Sequence, residues 1–135
     1  MRGLLADVNA EGHLNAIVAA CQHAGWGEIW RELGVPVYDF VALGLNRDMP
    51  DEALWHLCQR RELVLFTGNR NRKAADSLEA VIAAHNRTDS LPVLTLADPD
   101  RVIRERIYAE AAGIKLMDIL LDMDNRRGAG RLWLP

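Results

Sequence analysis

Three short apolar runs recur along the chain, and a cluster of polar residues lies just after each of them. The runs cover residues 4–6, 63–66 and 91–96. A short continuous apolar run is typical of a strand that is buried on both faces of a parallel sheet. Longer stretches with apolar residues at helical spacing separate the runs, and this alternation is typical of βαβ units. We therefore predict that the three runs form neighbouring parallel strands.

Apolar residues at helical spacing predict four helices between and after these runs. Helices are expected over residues 11–24, 51–61 and 100–124, and over a stretch that begins after Asp76. Asp48 is the predicted N-cap of the helix over residues 51–61, and Asp76 is the predicted N-cap of the helix that follows it. Aspartate suits this position because it accepts hydrogen bonds from the first turn. The last helix is expected to bury an apolar stripe made of Ile103, Ile107, Ala111, Ile114 and Leu121.

The remaining segments complete an α/β pattern. Residues 26–33 allow another helical turn or two, and residues 37–43 are a predicted second strand. Residues 125–135 form a basic and then apolar tail that could add an edge strand. A chain of 135 residues, half of them hydrophobic, indicates one domain with one well-filled core. The predicted fold is a three-layer α/β sandwich with a central, mainly parallel sheet.

Composition narrows the function classes. A net charge of −3 argues against a dedicated duplex-DNA binder, which usually has a strongly basic domain. No run approaches the roughly 18 apolar residues that a membrane helix needs, and the first charged residues come too early for a signal peptide. We therefore expect no membrane association and a cytoplasmic location. Cys21 and Cys58 lie among apolar neighbours in helical stretches, which favours buried thiols over a disulfide.

The polar residues that follow the strands suggest a binding site. Asp7 comes directly after the first run, Thr67 opens the cluster after the second, and Asp98 and Asp100 follow the third. In an open parallel sheet, groups just outside the carboxyl ends of the strands converge on one crevice. Carboxylate oxygens are the ligands that Mg²⁺ and Mn²⁺ prefer. The layout therefore predicts a metal or phosphate site at this edge of the sheet.

The order of these features resembles a known family. An aspartate after the first strand, a helix, a glycine-bounded segment, acids that open a helix, and the run Leu-Val-Leu-Phe-Thr-x-Asn are together similar to the short PIN-like domains. The resemblance covers residues 4–100. It implies an α/β protein related to metal-dependent ribonucleases and to the toxins of toxin–antitoxin pairs, with Mg²⁺ or Mn²⁺ as the cofactor.

The resemblance also implies roles for individual residues. Asp7 matches the first-strand aspartate, and Asp51 or Glu52 matches the acid that opens the central helix. Asp98 follows the next strand and could supply another acid. Catalytic roles are therefore implied for Asp7, Asp51 and Asp98, and Asn69 joins these three as a candidate metal ligand.

The loop after the threonine departs from the family pattern. Similar domains carry acids two and four residues after it, where this chain has Asn69 and Asn71. An asparagine offers a carbonyl oxygen without a charge, so one weakly held ion and weak or absent ribonuclease activity are expected. The implied substrate is single-stranded RNA, and the residues expected to contact it are Thr67, Asn69, Arg70, Asn71 and Arg72.

Other interpretations remain open at this stage. A PIN-like interaction module without catalysis, binding a protein partner or a second copy of itself, is the main alternative, and an unrelated small-molecule enzyme is a third. Asp51 has an ordinary explanation in the helix macrodipole, and Asp98 and Asp100 have one as turn and cap residues. None of the histidines pairs at metal-ligand spacing, so ordinary roles are expected for His13, His23, His56 and His85.

Overall fold

The computed structural model describes residues 1–68 and 77–135. Within these ranges the strands are β1 (Gly3–Ala6), β2 (Val37–Tyr38), β3 (Leu63–Thr67), β4 (Val93–Leu96) and β5 (Arg131–Leu134). The helices are α1 (Glu11–His23), α2 (Gly27–Leu33), α3 (Asp51–Arg60), α4 (Leu78–His85), α5 (Pro99–Arg104), α6 (Arg106–Leu121) and α7 (Met123–Arg126).

The described strands form one parallel sheet in the order β2-β1-β3-β4-β5. The three apolar runs give β1, β3 and β4, which lie side by side, so the central prediction about the sheet is confirmed. The tail supplies β5 as an edge strand beside β4, with Leu132 opposite Leu94. The sequence order reverses between β1 and β3, and this reversal is the topological switch point of the sheet.

Successive side chains of each strand point to opposite faces of the sheet, and this alternation creates two apolar layers. Leu4, Val64 and Leu94 belong to a core cluster shared with α1, α5 and α6. Leu5, Leu65 and Val93 belong to a second cluster shared with α3 and α4. Helices therefore cover both faces, and the predicted three-layer sandwich is confirmed.

The second strand is shorter than predicted. Residues 37–43 were expected to be extended, but β2 ends at Tyr38. The carboxylate of Asp39 accepts a hydrogen bond from the Ala42 backbone N–H at 2.7 Å, and the Asp39 carbonyl accepts one from Leu43 at 3.3 Å. Aspartate offers the backbone this local alternative to strand pairing, so the chain turns at this point.

The helix caps also differ from the prediction. Asp48 does not cap α3, because the N-cap position is Pro50, which has no side-chain hydrogen bond to offer. Asp76 lies outside the described residues. The N-cap of α4 is Ser77, whose hydroxyl accepts a hydrogen bond from the Ala80 N–H at 3.2 Å.

The long helix predicted over residues 100–124 was wrong in its extent and in its buried face. It divides at Glu105 into α5 and α6, and α7 follows after Asp122. All five residues of the predicted stripe are exposed, including Ile107 at 81% and Leu121 at 69%. The buried face of α6 consists instead of small residues followed by larger ones, namely Ala109, Ala112, Gly113, Leu116, Met117, Ile119 and Leu120.

Small residues form that face because α6 packs closely against α1. A Cβ atom added at Gly113 would overlap the Sγ atom of Cys21 and lie 3.1 Å from Cγ2 of Ile17. Gly113 lies inside the continuous helix α6. It allows the two helices to approach.

Both cysteines are buried free thiols, as predicted. Cys21 lies in α1 and Cys58 in α3, on opposite sides of the sheet. No helix within the described ranges has the length and apolar character needed to cross a membrane.

Candidate functional site

A cleft of about 530 Å³ opens at the carboxyl edge of the sheet. Its apolar floor includes Phe40 and Leu54, and Gly68 and Pro99 border it. The polar side chains that line it are Asp7, Asn9, His13, Arg47, Asp51 and Asp100. We call this feature the carboxylate cleft.

The carboxylate cleft lies at the switch point of the sheet. Asp7 follows β1 and Gly68 follows β3, and these are the two strands between which the strand order reverses. Helices that leave neighbouring strands in opposite directions open a crevice at this point, where ligands of open α/β sheets bind. The backbone topology therefore puts the carboxylates of this chain where the fold has room for a ligand.

Asp7 is held in a fixed orientation. Its Oδ2 accepts a hydrogen bond from the hydroxyl of Thr67 at 2.8 Å, and its Oδ1 accepts one from the Val8 N–H at 2.8 Å. Thr67 ends β3 and is fully buried, so its hydroxyl is fixed by the sheet. No ion pair among the described residues includes Asp7. The half-buried carboxylate is thus oriented by two neutral donors.

The charge of Asp7 also acts beneath the cleft. Burial raises the pKa of the Cys58 thiol to about 12, and the nearby Asp7 carboxylate contributes to this increase. A thiolate at this position would be both desolvated and repelled. Cys58 is therefore a packing residue of the core and not a nucleophile.

Asp51 and Asp100 supply two further carboxylates to the cleft. Each lies in the first turn of a helix, Asp51 in α3 and Asp100 in α5. Acids are favoured in a first turn because they oppose the positive end of the helix dipole. The first turns of α3 and α5 both face the cleft. The preference of helix starts for acids therefore also gives the cleft its negative charge.

Asp98 has a different role from its neighbour. It is the N-cap of α5, and its Oδ1 accepts a hydrogen bond from the Arg101 N–H at 3.2 Å. The cleft-lining acid from this segment is Asp100. A ligand role for Asp98 stays a prediction.

Several predicted contacts fall in the chain between β3 and α4. Asn69, Arg70, Asn71 and Arg72 lie outside the described residues, and only Thr67 of the predicted substrate-binding group is described. Thr67 contacts Asp7 and not the open cleft.

The sequence reasoning missed two basic or titratable groups of the cleft. Arg47 is exposed at its rim, and the half-buried His13 comes from the first turn of α1. Neither residue follows a strand, which was the signal used to find site residues. The position of His13 at the start of the helix after β1 was the available clue, because that helix begins beside Asp7.

A second group of ligand-type side chains lies between α3 and α4. One potential ligand atom from each of Glu52, His56 and His85 lies within 4.8 Å of those from the other two. This group could hold a metal ion. No two histidines have metal-ligand spacing in the sequence, but Glu52 and His56 are four residues apart on one helix, and His85 arrives from the next helix.

Neither a protein-family model nor a curated protein nor a solved structure matches this chain.

Proposed function

We propose that this chain is a PIN-like domain that binds Mg²⁺ or Mn²⁺ in the carboxylate cleft and cleaves single-stranded RNA weakly. The observation that carries the proposal is the meeting of Asp7, Asp51 and Asp100 in one cleft at the switch point of the sheet. The substrate class rests on the resemblance of the sequence to PIN-like domains. The cleft chemistry rests on the described side chains.

The side chains of the cleft suit a hard divalent cation. Asp7, Asp51 and Asp100 offer carboxylate oxygens, which Mg²⁺ and Mn²⁺ prefer to nitrogen or sulfur. The Thr67 hydroxyl and the Val8 N–H orient the Asp7 carboxylate. Because such supporting hydrogen bonds are typical of metal-binding carboxylates, we assign Asp7 as the principal ligand. A divalent ion held here would supply charge for a phosphate and acidify a bound water.

The basic side chain at the rim suits the substrate. Arg47 lines the same cleft as the three acids, and a guanidinium can donate two parallel hydrogen bonds to a phosphate. The whole chain carries a net charge of −3, so binding of a nucleic acid depends on such local cations. Arg47 would position the phosphate, and Asp7 would face the reacting group.

We expect weak ribonuclease activity because few carboxylates are available to bind metal ions. Asn69 and Asn71 stand where similar domains have acids, so these two positions add no negative charge. Two divalent ions placed a few ångströms apart need several anionic ligands. Three carboxylates support one ion better than two.

A non-catalytic interaction module is the second candidate. Its support, besides the missing acids, is the exposure of two large apolar side chains, Ile103 of α5 at 58% and Ile107 of α6 at 81%. Large apolar side chains exposed together are typical of protein contact surfaces. A protein partner or a second copy of the chain would cover them.

The test is cleavage of a fluorogenic single-stranded RNA with Mn²⁺, by the natural chain and by Asp7→Asn. A matched control is Asp124→Asn, because the Asp124 side chain is fully exposed on α7. We expect slow, Mn²⁺-dependent cleavage that Asp7→Asn abolishes and Asp124→Asn retains. If Mn²⁺ neither binds nor supports cleavage in the natural chain, the nuclease proposal fails and the interaction module takes its place.

A further inference from the structure

We propose that Glu52, His56 and His85 form a Zn²⁺-class metal site that links α3 to α4. This site goes beyond the proposed ribonuclease function, and it uses none of the residues of the carboxylate cleft.

The distances within the group are close to those of a coordination shell. Oε1 of Glu52 lies 3.4 Å from Nε2 of His85 and 4.0 Å from Nε2 of His56. With bonds of roughly 2.0–2.2 Å, two ligand atoms on a tetrahedral Zn²⁺ are about 3.3 Å apart. One pair therefore already has this separation, and the whole group is no wider than 4.8 Å.

Two helices bring the ligands together. Glu52 and His56 are four residues apart in α3 and therefore lie on the same face of that helix. His85 is the last residue of α4, which packs against α3. The imidazoles of His56 and His85 make an edge contact with ring centroids 4.7 Å apart. Both histidines are therefore directed at the acid of the first turn of α3.

The three side chains are partly exposed to solvent, and a buried indole packs against the two imidazole rings. Each imidazole is 39% exposed and the Glu52 side chain is 62% exposed, so an ion can enter and the side chains can adjust by small rotations. The indole of Trp55, which is 3% exposed, lies 5.1 Å from the His56 ring and 6.2 Å from the His85 ring. The buried indole fixes one side of the group.

The donor set selects the class of metal. Two imidazole nitrogens and one carboxylate oxygen suit Zn²⁺, Co²⁺ or Ni²⁺, whereas Mg²⁺ and Mn²⁺ suit oxygen ligands. Two histidines with one glutamate leave a fourth position for water, as in open zinc sites. The carboxylate cleft and this group therefore differ in the metals that they prefer.

The two sites are also separated on α3. Asp51 and Leu54 lie on the side of the helix that faces the carboxylate cleft. Glu52 and His56 lie on the side that faces the end of α4. A substitution in one group is therefore not expected to remove a ligand from the other.

A simple ion pair between Glu52 and charged imidazoles is the competing explanation. The two explanations predict opposite responses to acid. An ion pair requires protonated histidines and strengthens as the pH falls, whereas a metal site requires neutral histidines and loses its ion as protons compete. Only the metal site also responds to a chelator.

The test is a Zn²⁺ titration of the full chain without an affinity tag, after treatment with EDTA, by calorimetry and by competition with a fluorescent chelator. We expect one Zn²⁺ per chain. Changes at groups that merely support a ligand typically cost about 10–100-fold in affinity, so Glu52→Gln, His56→Gln and His85→Gln should each weaken binding by more than about 10-fold. His23→Gln is the matched control, since His23 lies at the exposed end of α1, and it should bind as the natural chain does.

A second readout locates the ion. Co²⁺ bound to this group should quench the emission of the adjacent Trp55, and Trp55→Phe should remove that quenching while Co²⁺ still binds. Circular dichroism shows whether each variant is folded. If folded His85→Gln binds Zn²⁺ as tightly as the natural chain, the site is wrong.

Mn²⁺ titrations separate this proposal from the ribonuclease proposal. Asp7→Asn should retain Zn²⁺ binding, and His85→Gln should retain Mn²⁺ binding. Loss of Zn²⁺ binding in Asp7→Asn would show that the cleft holds the zinc and would overturn the inference. Failure of Mn²⁺ binding in the natural chain would leave the zinc site standing.

Discussion

Replacing Thr67 with valine removes one hydroxyl from beneath the carboxylate cleft and leaves the shape of the side chain almost unchanged. That hydroxyl donates a 2.8 Å hydrogen bond to Oδ2 of Asp7, and Thr67 is fully buried at the end of β3. The Val8 N–H still holds the other oxygen of Asp7 in the variant. The substitution therefore releases the carboxylate from one of its two supports without removing its charge.

The expected loss of unfolding free energy in Thr67→Val follows from the strength of this hydrogen bond. A hydrogen bond to a charged group contributes about 1.5–3 kcal/mol, and half-burial of Asp7 together with the added buried methyl group reduces the net loss to about 1–2 kcal/mol. For a chain of this length, the melting temperature should fall by about 3–8 °C. Loss of a group that orients a metal ligand should weaken Mn²⁺ binding by about 10–100-fold.

Thr67→Ser separates the hydroxyl from the packing. Serine keeps the donor and loses a buried methyl group, which costs about 1 kcal/mol of unfolding free energy. We therefore expect both variants to melt earlier in differential scanning calorimetry, but only Thr67→Val to lose Mn²⁺ affinity in isothermal titration. Equal Mn²⁺ affinities in folded Thr67→Val and in the natural chain would refute the assignment of Asp7 as an oriented ligand.

Three further experiments test the contact between α1 and α6, the metal affinity added by acids at positions 69 and 71, and the burial of Cys58. Gly113→Ala should lower the unfolding free energy by about 1–3 kcal/mol in urea titrations, because the added Cβ overlaps Sγ of Cys21. This loss should be smaller in a chain that also carries Cys21→Ala, and additive effects of the two substitutions would contradict the contact. The double change Asn69→Asp with Asn71→Asp should tighten Mn²⁺ binding in calorimetry, and an unchanged affinity would show that these two positions do not face the metal. The thiol of Cys58, whose pKa is raised to about 12, should resist a thiol reagent at pH 8 in the folded chain and react in denaturant; rapid reaction in the folded chain would contradict its burial.

The sheet could be predicted because its strands are marked locally. The continuous runs that became β1, β3 and β4 are apolar on both faces, and this pattern needs no information about distant residues. The edge strand β5 was also recognisable from its apolar end. The strand predicted over residues 37–43 failed beyond Tyr38 because one side chain, Asp39, offered the backbone a turn.

The buried face of α6 could not be predicted from its large apolar residues. Ile107 and Leu121 are exposed, while Ala112 and Gly113 are buried, because close packing against α1 favours small side chains. A hydrophobic stripe identifies the buried face only when the partner surface leaves room for large residues.

Part of the lining of the carboxylate cleft was predictable from the sequence. Asp7 was found because it follows a strand, and Asp51 was found because the sequence resembles a known pattern. Asp98 and Asp100 are two positions apart in the sequence. Only the geometry of α5 shows that Asp100 lines the cleft and that Asp98 caps the helix. His56 and His85 meet through the packing of two helices, so their spacing in the sequence gives no sign of it.

The position of a bound cation shows directly whether the carboxylate cleft is a metal site. Crystals of the natural chain soaked in Mn²⁺ should show an anomalous difference peak bounded by the carboxylates of Asp7, Asp51 and Asp100, with oxygen ligands at about 2.0–2.6 Å. Crystals of Asp7→Asn grown in the same form should lack the peak. A cleft without a peak in the natural chain at saturating Mn²⁺, or a peak that persists unchanged in Asp7→Asn, would contradict the assignment of this cleft as the metal site.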